Sequence, residues 1–307
     1  MHTSPENLEM FESDWPGASW DRGKSAGLPG PRRGDELGAH ISSRLAKFHA
    51  PEIVFGPGAG FSRYAESGCD VIIGLGGGSC IDAAKGVAIL SGNGGRILRY
   101  EGVDKVLRPI PPTVMVPSTS GTGADVSQFA IVTDTAARKK ITIISRTLVP
   151  EISVIDPHLL TTMPDWLNAT TGLDALTHGI ESFVSGANNP LTDRHALHAV
   201  ALITRHLLRT QLRPTEMASR LAMAQGSLEA GMAFTNAILG ATHAMSHQVG
   251  GHLDAPHGVL NAVPKGLAEL GVTDDIVPRT TLNDACLATN PRAASVPDIE
   301  DQFRAAL

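Results

Sequence analysis

Residues 71–90 read VIIGLGGGSCIDAAKGVAIL. The apolar run VIIGL at 71–75 meets a glycine turn, and the turn opens a segment whose apolar residues recur at helical spacing. A strand that passes through a glycine turn into a helix is the unit from which α/β nucleotide-binding layers are built. Ser79 and Asp82 form an S-x-x-D pair at the start of the helical pattern, as in a capping box. Outward from this stretch, IVF (53–55), TVMV (113–116), FAIVT (129–133), ITII (141–144) and ISVI (152–155) are further strand candidates. After Asp156-Pro157 the strand pattern stops. Helical patterning follows over about 164–185, 192–209, 216–233, 236–249 and 297–306. An α/β half followed by an all-helical half predicts a cleft between them, where ligands usually sit.

Composition sets the limits around this pattern. The chain has 307 residues, 42% apolar and 18% charged, with a net charge of −6. That is long enough for two cores, and the acidic balance without a basic run argues against nucleic acid as a partner. No apolar run is long enough to span a membrane. Glu6, Glu9, Glu12 and Asp14 interrupt the start before any apolar core, so no signal peptide is expected. Cys69, Cys80 and Cys286 are scattered and odd in number, which fits a reducing compartment better than a disulfide framework. The expectation is a soluble cytoplasmic protein. Residues 1–50, including GASWDRGKSAGLPGPRRGDELG at 17–38, are rich in Gly, Pro, Ser and charge and read as a mobile tail. Trp15 and Trp20 leave a packed arm as the second reading.

Three motifs carry chemistry. In GLGGGS (74–79), Gly76, Gly77 and Gly78 would let the backbone approach a pyrophosphate, with a helix N-terminus supplying N–H donors. The bland alternative is a turn that needs glycine for steric reasons alone. PSTSGTGADVS (117–127) adds hydroxyls and glycines behind a second strand, so the two loops together suggest one extended phosphate-bearing ligand, against a pair of ordinary β-turns. GLDALTHGIES (172–182) sets Asp174 and His178 four residues apart on one helix face. HAMSHQVGGHLDAPHG (243–258) does the same with His243 and His247 and adds His257 after a proline, read as a loop residue. A lone helical histidine is usually packed or solvated; two such pairs plus a third histidine suit a divalent metal such as Fe²⁺ or Zn²⁺.

GGGSCIDAAKG, PSTSGTGADVSQFAIVTD, ISVIDPHLL, TGLDALTHGIESFVS and HAMSHQVGGHLDAPHGVLNAVP resemble the iron-containing (group III) alcohol dehydrogenases. The ending LAELGVTDDIVP…NPRAASVPDIEDQF is similar to that of the NAD-dependent methanol and 1,3-propanediol dehydrogenase branch. The resemblance spans most of 50–307. It implies the dehydroquinate synthase-like architecture: an α/β N-terminal dinucleotide-binding domain followed by an all-helical C-terminal metal-binding domain. It further implies metal ligation by Asp174, His178, His243 and His257, with Fe²⁺ favoured and Zn²⁺ or Mg²⁺ as alternatives. His247 is then the odd one out, beside the nicotinamide and in proton relay, and His252 is a loop residue without a ligand role. Gly77, Gly78 and Ser79 match the pyrophosphate turn with Asp82 close behind. Ser118, Thr119, Thr122, Ser127, Ile131 and Lys140 match positions lining the NAD(P) cleft.

The implied activity is reversible hydride transfer between a primary alcohol or aldehyde and NAD(P), in a homo-oligomer. The alternatives are an impaired or non-catalytic metal-binding remnant, and a lyase of the dehydroquinate synthase type. Two departures stand against the family pattern. Only Gly60 to Cys69 join FGPGA (55–59) to the strand at 71, where a β-α-β unit of about 30 residues would be needed. NAVP (261–264) also runs directly into KGLAELGV, skipping helices. The expected partition is a tail over 1–50, a shortened dinucleotide-binding domain over 51–156 and a helical catalytic domain over 157–307.

Overall fold

The computed structural model describes residues 64, 68–253, 255–261 and 281–306. The tail over 1–50, the strand expected at 53–55 and the segment LAELGVTDDIVP at 267–278 lie outside them.

Strand β1 (Ile72–Gly76) leads through the glycine turn into α1 (Gly78–Asn93). Then come β2 (Gly102–Val103), β3 (Thr113–Pro117), β4 (Phe129–Asp134), β5 (Lys139–Ile144) and β6 (Ile152–Ser153). Two small sheets result. One is parallel, in the order β1-β3-β6; the other is mixed, in the order β2-β5-β4, with β4 and β5 antiparallel. Helix α1 covers one face of the parallel sheet, where Ile81 meets Met115 and Ala124. Farther along, its Ile89 joins Ala130, Ile141, Ile143, Tyr100 and Leu148 in the core over the mixed sheet. On the opposite face of the parallel sheet none of the described residues covers the apolar side chains: Ile73 is 65% and Leu75 61% exposed, with Val71, Ile152 and Val154 beside them. Apolar strands normally have both faces covered in such sheets.

The register fixes where a ligand can go. Gly76 of β1 pairs with Pro117 of β3, so the turn at 76–78 and the loop at 117–127 leave side by side from the C-terminal ends of neighbouring parallel strands. The Ser118 N–H donates to the Gly76 carbonyl at 2.8 Å and joins the two loops. Fully buried Lys85 of α1 ties down the far end of the second loop, its Nζ donating to the carbonyls of Ser127 (2.6 Å) and Phe129 (2.8 Å).

Beyond β6 the described residues are helical: α2 (Asp165–Val184), α3 (Pro190–Leu212), α4 (Met217–Ala237), α5 (Ala241–Leu253), α6 (His257–Asn261) and α7 (Val296–Ala306). α2, α3 and α4 pack through Ala175, Ala199, Ile203, Met223 and Ala230, mostly small side chains that let helix backbones approach. Asn189 starts α3 with a true capping box to Thr192, and Pro190 occupies the first turn. α4 and α5 are separated at Ile238, whose positive φ of 62° breaks the helix.

Three local expectations are corrected. Ser79 and Asp82 do not cap α1: the helix begins at Gly78 with Gly77 as its N-cap and no side-chain cap, so Ser79 already lies within the first turn. His257 is not in a loop but opens the short helix α6, because Pro256 supplies the start of a helical turn and its carbonyl accepts from Val259. His252 lies in the last turn of α5, which runs four residues past its expected end. No described helix is long and apolar enough to cross a membrane.

Candidate metal and nucleotide site

The acidic centre of the site is Asp174, on the inner face of α2 and 1% exposed. One turn on, His178 donates from Nδ1 to the Gly121 carbonyl (3.1 Å) and turns Nε2 toward Asp174 Oδ1, 4.0 Å away. Gly121 must be glycine for this contact: a Cβ there would lie 2.4 Å from the Thr171 carbonyl of α2. α5 carries in His243, whose Nδ1 donates to Glu181 Oε2 at 2.5 Å and whose Nε2 lies 3.5 Å from Asp174 Oδ1. α6 brings His257, with Nε2 3.7 Å from the same oxygen. Three Nε2 atoms thus surround one carboxylate oxygen at 3.5, 3.7 and 4.0 Å. The donor atoms of Asp174, His178 and His243 all lie within 4.8 Å of one another, and His257 Nε2 adds a fourth near the same carboxylate oxygen, a mixed O and N set of the kind first-row divalent ions take.

Charge in the cluster follows from burial and proximity. Burial alone would push the Asp174 carboxyl up, but His178, His257 and His243 hold it far below the usual carboxylate range. Burial lowers His178 to about 4. It also takes His257 well below its ordinary value. His243 goes the other way: although burial opposes it, Glu181 and Asp174 raise it to about 9. Glu181 is itself held low, because His243 and the Thr242 N–H outweigh its desolvation. A carboxylate gripping the far nitrogen of a ligand histidine orients the ring and raises its basicity.

His247 follows His243 by one turn of α5. Its ring stacks on that of His257, with centroids 5.0 Å apart, and its Nδ1 lies 3.1 Å from Asp284 Oδ2. All five of these groups open onto one cleft of about 780 Å³. Gly78, Ser79, Asp82, Thr122, Ser127, Ile131 and Lys140 line its other end, with Phe129, Phe234 and Leu239 between. Twelve of the fifteen residues singled out from sequence therefore line one cavity. Gly77, Ser118 and Thr119 sit just behind it: a Cβ on Gly77 would meet only the Thr119 side chain, at 3.4 Å. Gly77 thus leaves an open cradle, whereas Gly76 is required by its positive φ of 149° and Gly78 by Thr122, whose methyl would lie 2.8 Å from a Cβ. The buried hydroxyls of Thr119 and Ser127 have no hydrogen-bond partner, which suits a polar ligand over the turn. Burial pushes Asp82 up to about 7 despite Lys85 beside it, which reduces the negative charge facing a phosphate.

Residues 58–157 match the sequence profile of iron-containing alcohol dehydrogenase, and residues 168–264 match that of the Fe-containing alcohol dehydrogenase family, C-terminal. The NAD-dependent methanol dehydrogenase of Bacillus methanolicus is 31% identical over 304 residues, which cover 81% of this chain and 80% of that one. The chain belongs to the iron-containing alcohol dehydrogenase family. Family membership fits the solved structures it matches. A 1,3-propanediol oxidoreductase superposes with a TM-score of 0.77 at 31% identity, over 90% of this chain and 89% of the other. An alcohol dehydrogenase from Oenococcus oeni gives 0.77 at 29% identity, over 80% and 79%. The 1,3-propanediol dehydrogenase of Klebsiella pneumoniae is 42% identical over 66% of this chain but only 53% of its own length. Alcohol dehydrogenase 4 of Schizosaccharomyces pombe is similar at 43%, over 66% and 48%. The chain therefore spans about half the length of several relatives it matches.

Within this iron-containing alcohol dehydrogenase fold, three polar residues of the site escaped the sequence reading. Glu181 is three residues beyond His178 and was legible as the next acidic group on that helix. Asn261 is four beyond His257; its Nδ2 donates to Asp174 Oδ1 (2.6 Å) and lies 3.1 Å and 3.2 Å from Nε2 of His243 and His257. Asp284 comes from far along the chain and had no local signal.

Proposed function

We propose that this chain catalyses reversible hydride transfer between a primary alcohol and NAD(P)⁺, with a ferrous ion held by Asp174, His178, His243 and His257. The observation that carries the proposal is the single cleft that joins this donor set to the two glycine loops. Held by these four residues, the ion would supply Lewis acidity toward the alcohol oxygen, and a bound nicotinamide would supply the hydride acceptor. Zn²⁺ and Mg²⁺ are the alternative ions, and Zn²⁺ suits the three nitrogen donors better.

The chain's own residues do the rest. The cradle at Gly77 and Gly78 admits the pyrophosphate to backbone N–H groups at the start of α1, and Ser79, Ser118, Thr119 and Thr122 offer hydroxyls around it. Asp82, Ser127, Ile131 and Lys140 line the same cleft and would flank the rest of the cofactor. Phe129, Phe234 and Leu239 give the cleft an apolar wall beside the donor set. His247 takes up the hydroxyl proton at Nε2 and passes it outward. Neither a non-catalytic remnant nor a lyase gains support from a particular observation.

The reading extends to organisation. We infer a tail over 1–50, a shortened nucleotide domain over 51–156 and a catalytic domain over 157–307, the last boundary supported by the change from strands to helices after β6. A homo-oligomer would cover the apolar face at Ile73, Leu75 and Ile152. A reducing cytoplasm suits three cysteines that are scattered and odd in number. The test is NAD⁺ and NADP⁺ reduction over short primary alcohols with Fe²⁺, Zn²⁺ or Mg²⁺ added. Metal-dependent NADH formation supports the proposal; its absence with every ion, in protein shown to hold metal, refutes it.

A further inference from the structure

Asp284 is buried at the start of a short 3-10 turn, Ala285–Thr289, and its two oxygens do different work. Oδ1 accepts the Cys286 N–H at 2.9 Å, which caps the turn. Oδ2 faces α5, where it accepts from Gln248 Nε2 at 3.3 Å and lies 3.1 Å from His247 Nδ1. We propose that Asp284 is the positioning residue of His247: by accepting the Nδ1 proton it fixes the ring's tautomer and leaves the Nε2 lone pair on the cleft edge. The inference rests on the reading of His247 as the group that takes the alcohol proton.

The chemistry of the two partners carries it. An ionised carboxylate only accepts hydrogen bonds, so the nitrogen facing it must carry the hydrogen, and a neutral imidazole then offers its other nitrogen as acceptor. Although burial pushes the Asp284 carboxyl up, the bonds from His247 and Cys286 hold it below the usual range, so it stays ionised. His247 is 3% exposed and its ring stacks on that of His257 with the His243 ring edge-on beside it, so its plane has little freedom apart from the 180° flip that Asp284 prevents. A rival reading of the same groups is a second cation site formed by His247, Asp284 and Cys286, whose donor atoms lie close together. Against it, both Asp284 oxygens are already engaged. Burial, with Asp284 beside it, also pushes the Cys286 thiol well up, so it stays protonated and is a poor ligand.

Asp284→Asn is the informative variant, because asparagine caps a helical turn about as well as aspartate. With its carbonyl oxygen kept on Cys286 N–H, its amide presents hydrogens to His247 and calls for the other tautomer. In full-length, metal-loaded protein the expected result is a 10- to 100-fold fall in kcat, with metal content and KM for NAD⁺ within twofold of wild type. His247→Ala should lower kcat at least as far, and adding Asp284→Asn to it should change nothing more. Ring ¹⁵N shifts of the Zn²⁺-loaded protein should move His247 from the Nδ1–H to the Nε2–H form in the Asn variant. Undiminished kcat in Asp284→Asn, or an added loss on top of His247→Ala, overturns the positioning role. Wild-type turnover in His247→Ala instead overturns the proton role of His247, and the positioning claim then stands or falls on the ring-nitrogen spectrum alone.

Discussion

A single oxygen organises the centre: Asp174 Oδ1, approached by three imidazole nitrogens. Removing one of four donors leaves an open and weaker site, so alanine at Asp174, His178, His243 or His257 should each lower bound metal steeply, as read by elemental mass spectrometry. His247→Ala should retain metal while turnover falls by about 10²–10⁴, the usual contribution of a positioned acid or base. Behind the ligands, Glu181 holds His243 by Nδ1. Because outer carboxylates of this kind typically contribute 10–100-fold in metal affinity, Glu181→Gln should weaken metal binding by about that factor in a chelator competition. At the other end of the cleft, Gly77→Val would fill the cradle beside Thr119 without forcing the backbone, since the Gly77 φ of −75° suits any residue. NADH affinity should drop there while metal content and folding stay as in the parent. Unchanged NADH affinity would mean that the turn is only a turn.

Among the elements, the loop at 117–127 and helix α2 depend on one another. Gly121 gives its carbonyl to His178 and has no room for a methyl group against the Thr171 carbonyl. Gly121→Ala should therefore cost about 1–3 kcal/mol of stability, the usual penalty for overpacking. It should also weaken metal binding, measured together by denaturant melts and chelator titration. How much of this was legible in sequence follows the range of the interactions. Periodicity gave the long helices within a few residues, and the i, i+4 pairs Asp174/His178 and His243/His247 needed only helix geometry. The Ser79/Asp82 capping pattern misled, because a glycine turn leading into α1 left the N-cap to Gly77. His257 was found by type but not by setting, since a proline starts short helices as readily as it marks loops. Asp284 could not be read at all: it meets His247 across 37 residues, and no local pattern encodes such a contact.

At the scale of the molecule, and among the described residues, the parallel sheet has β1 at one edge and exposes Ile73, Leu75 and Ile152 on one face. In the sequence only Gly60 to Cys69 join FGPGA to the strand at 71, fewer residues than a β-α-β unit needs. Such a unit ordinarily offers an acidic side chain to the ribose 2′-hydroxyl and so favours NAD over NADP. We infer that a chain lacking this unit offers neither a reward for the free hydroxyl nor repulsion of a 2′-phosphate. NADH and NADPH should bind weakly and within tenfold of each other, a difference of less than about 1.4 kcal/mol. Fluorescence titrations on one metal-loaded sample check this, and a strong preference for either would reveal another residue at the ribose. Diffraction from iron-loaded crystals at the iron absorption edge decides whether one ion sits where α2, α5 and α6 converge at the end of the cleft. The expected result is one anomalous peak within bonding distance of Asp174 Oδ1 and Nε2 of His178, His243 and His257. A peak among His247, Asp284 and Cys286 instead, or no peak in protein that retains iron in solution, would contradict it.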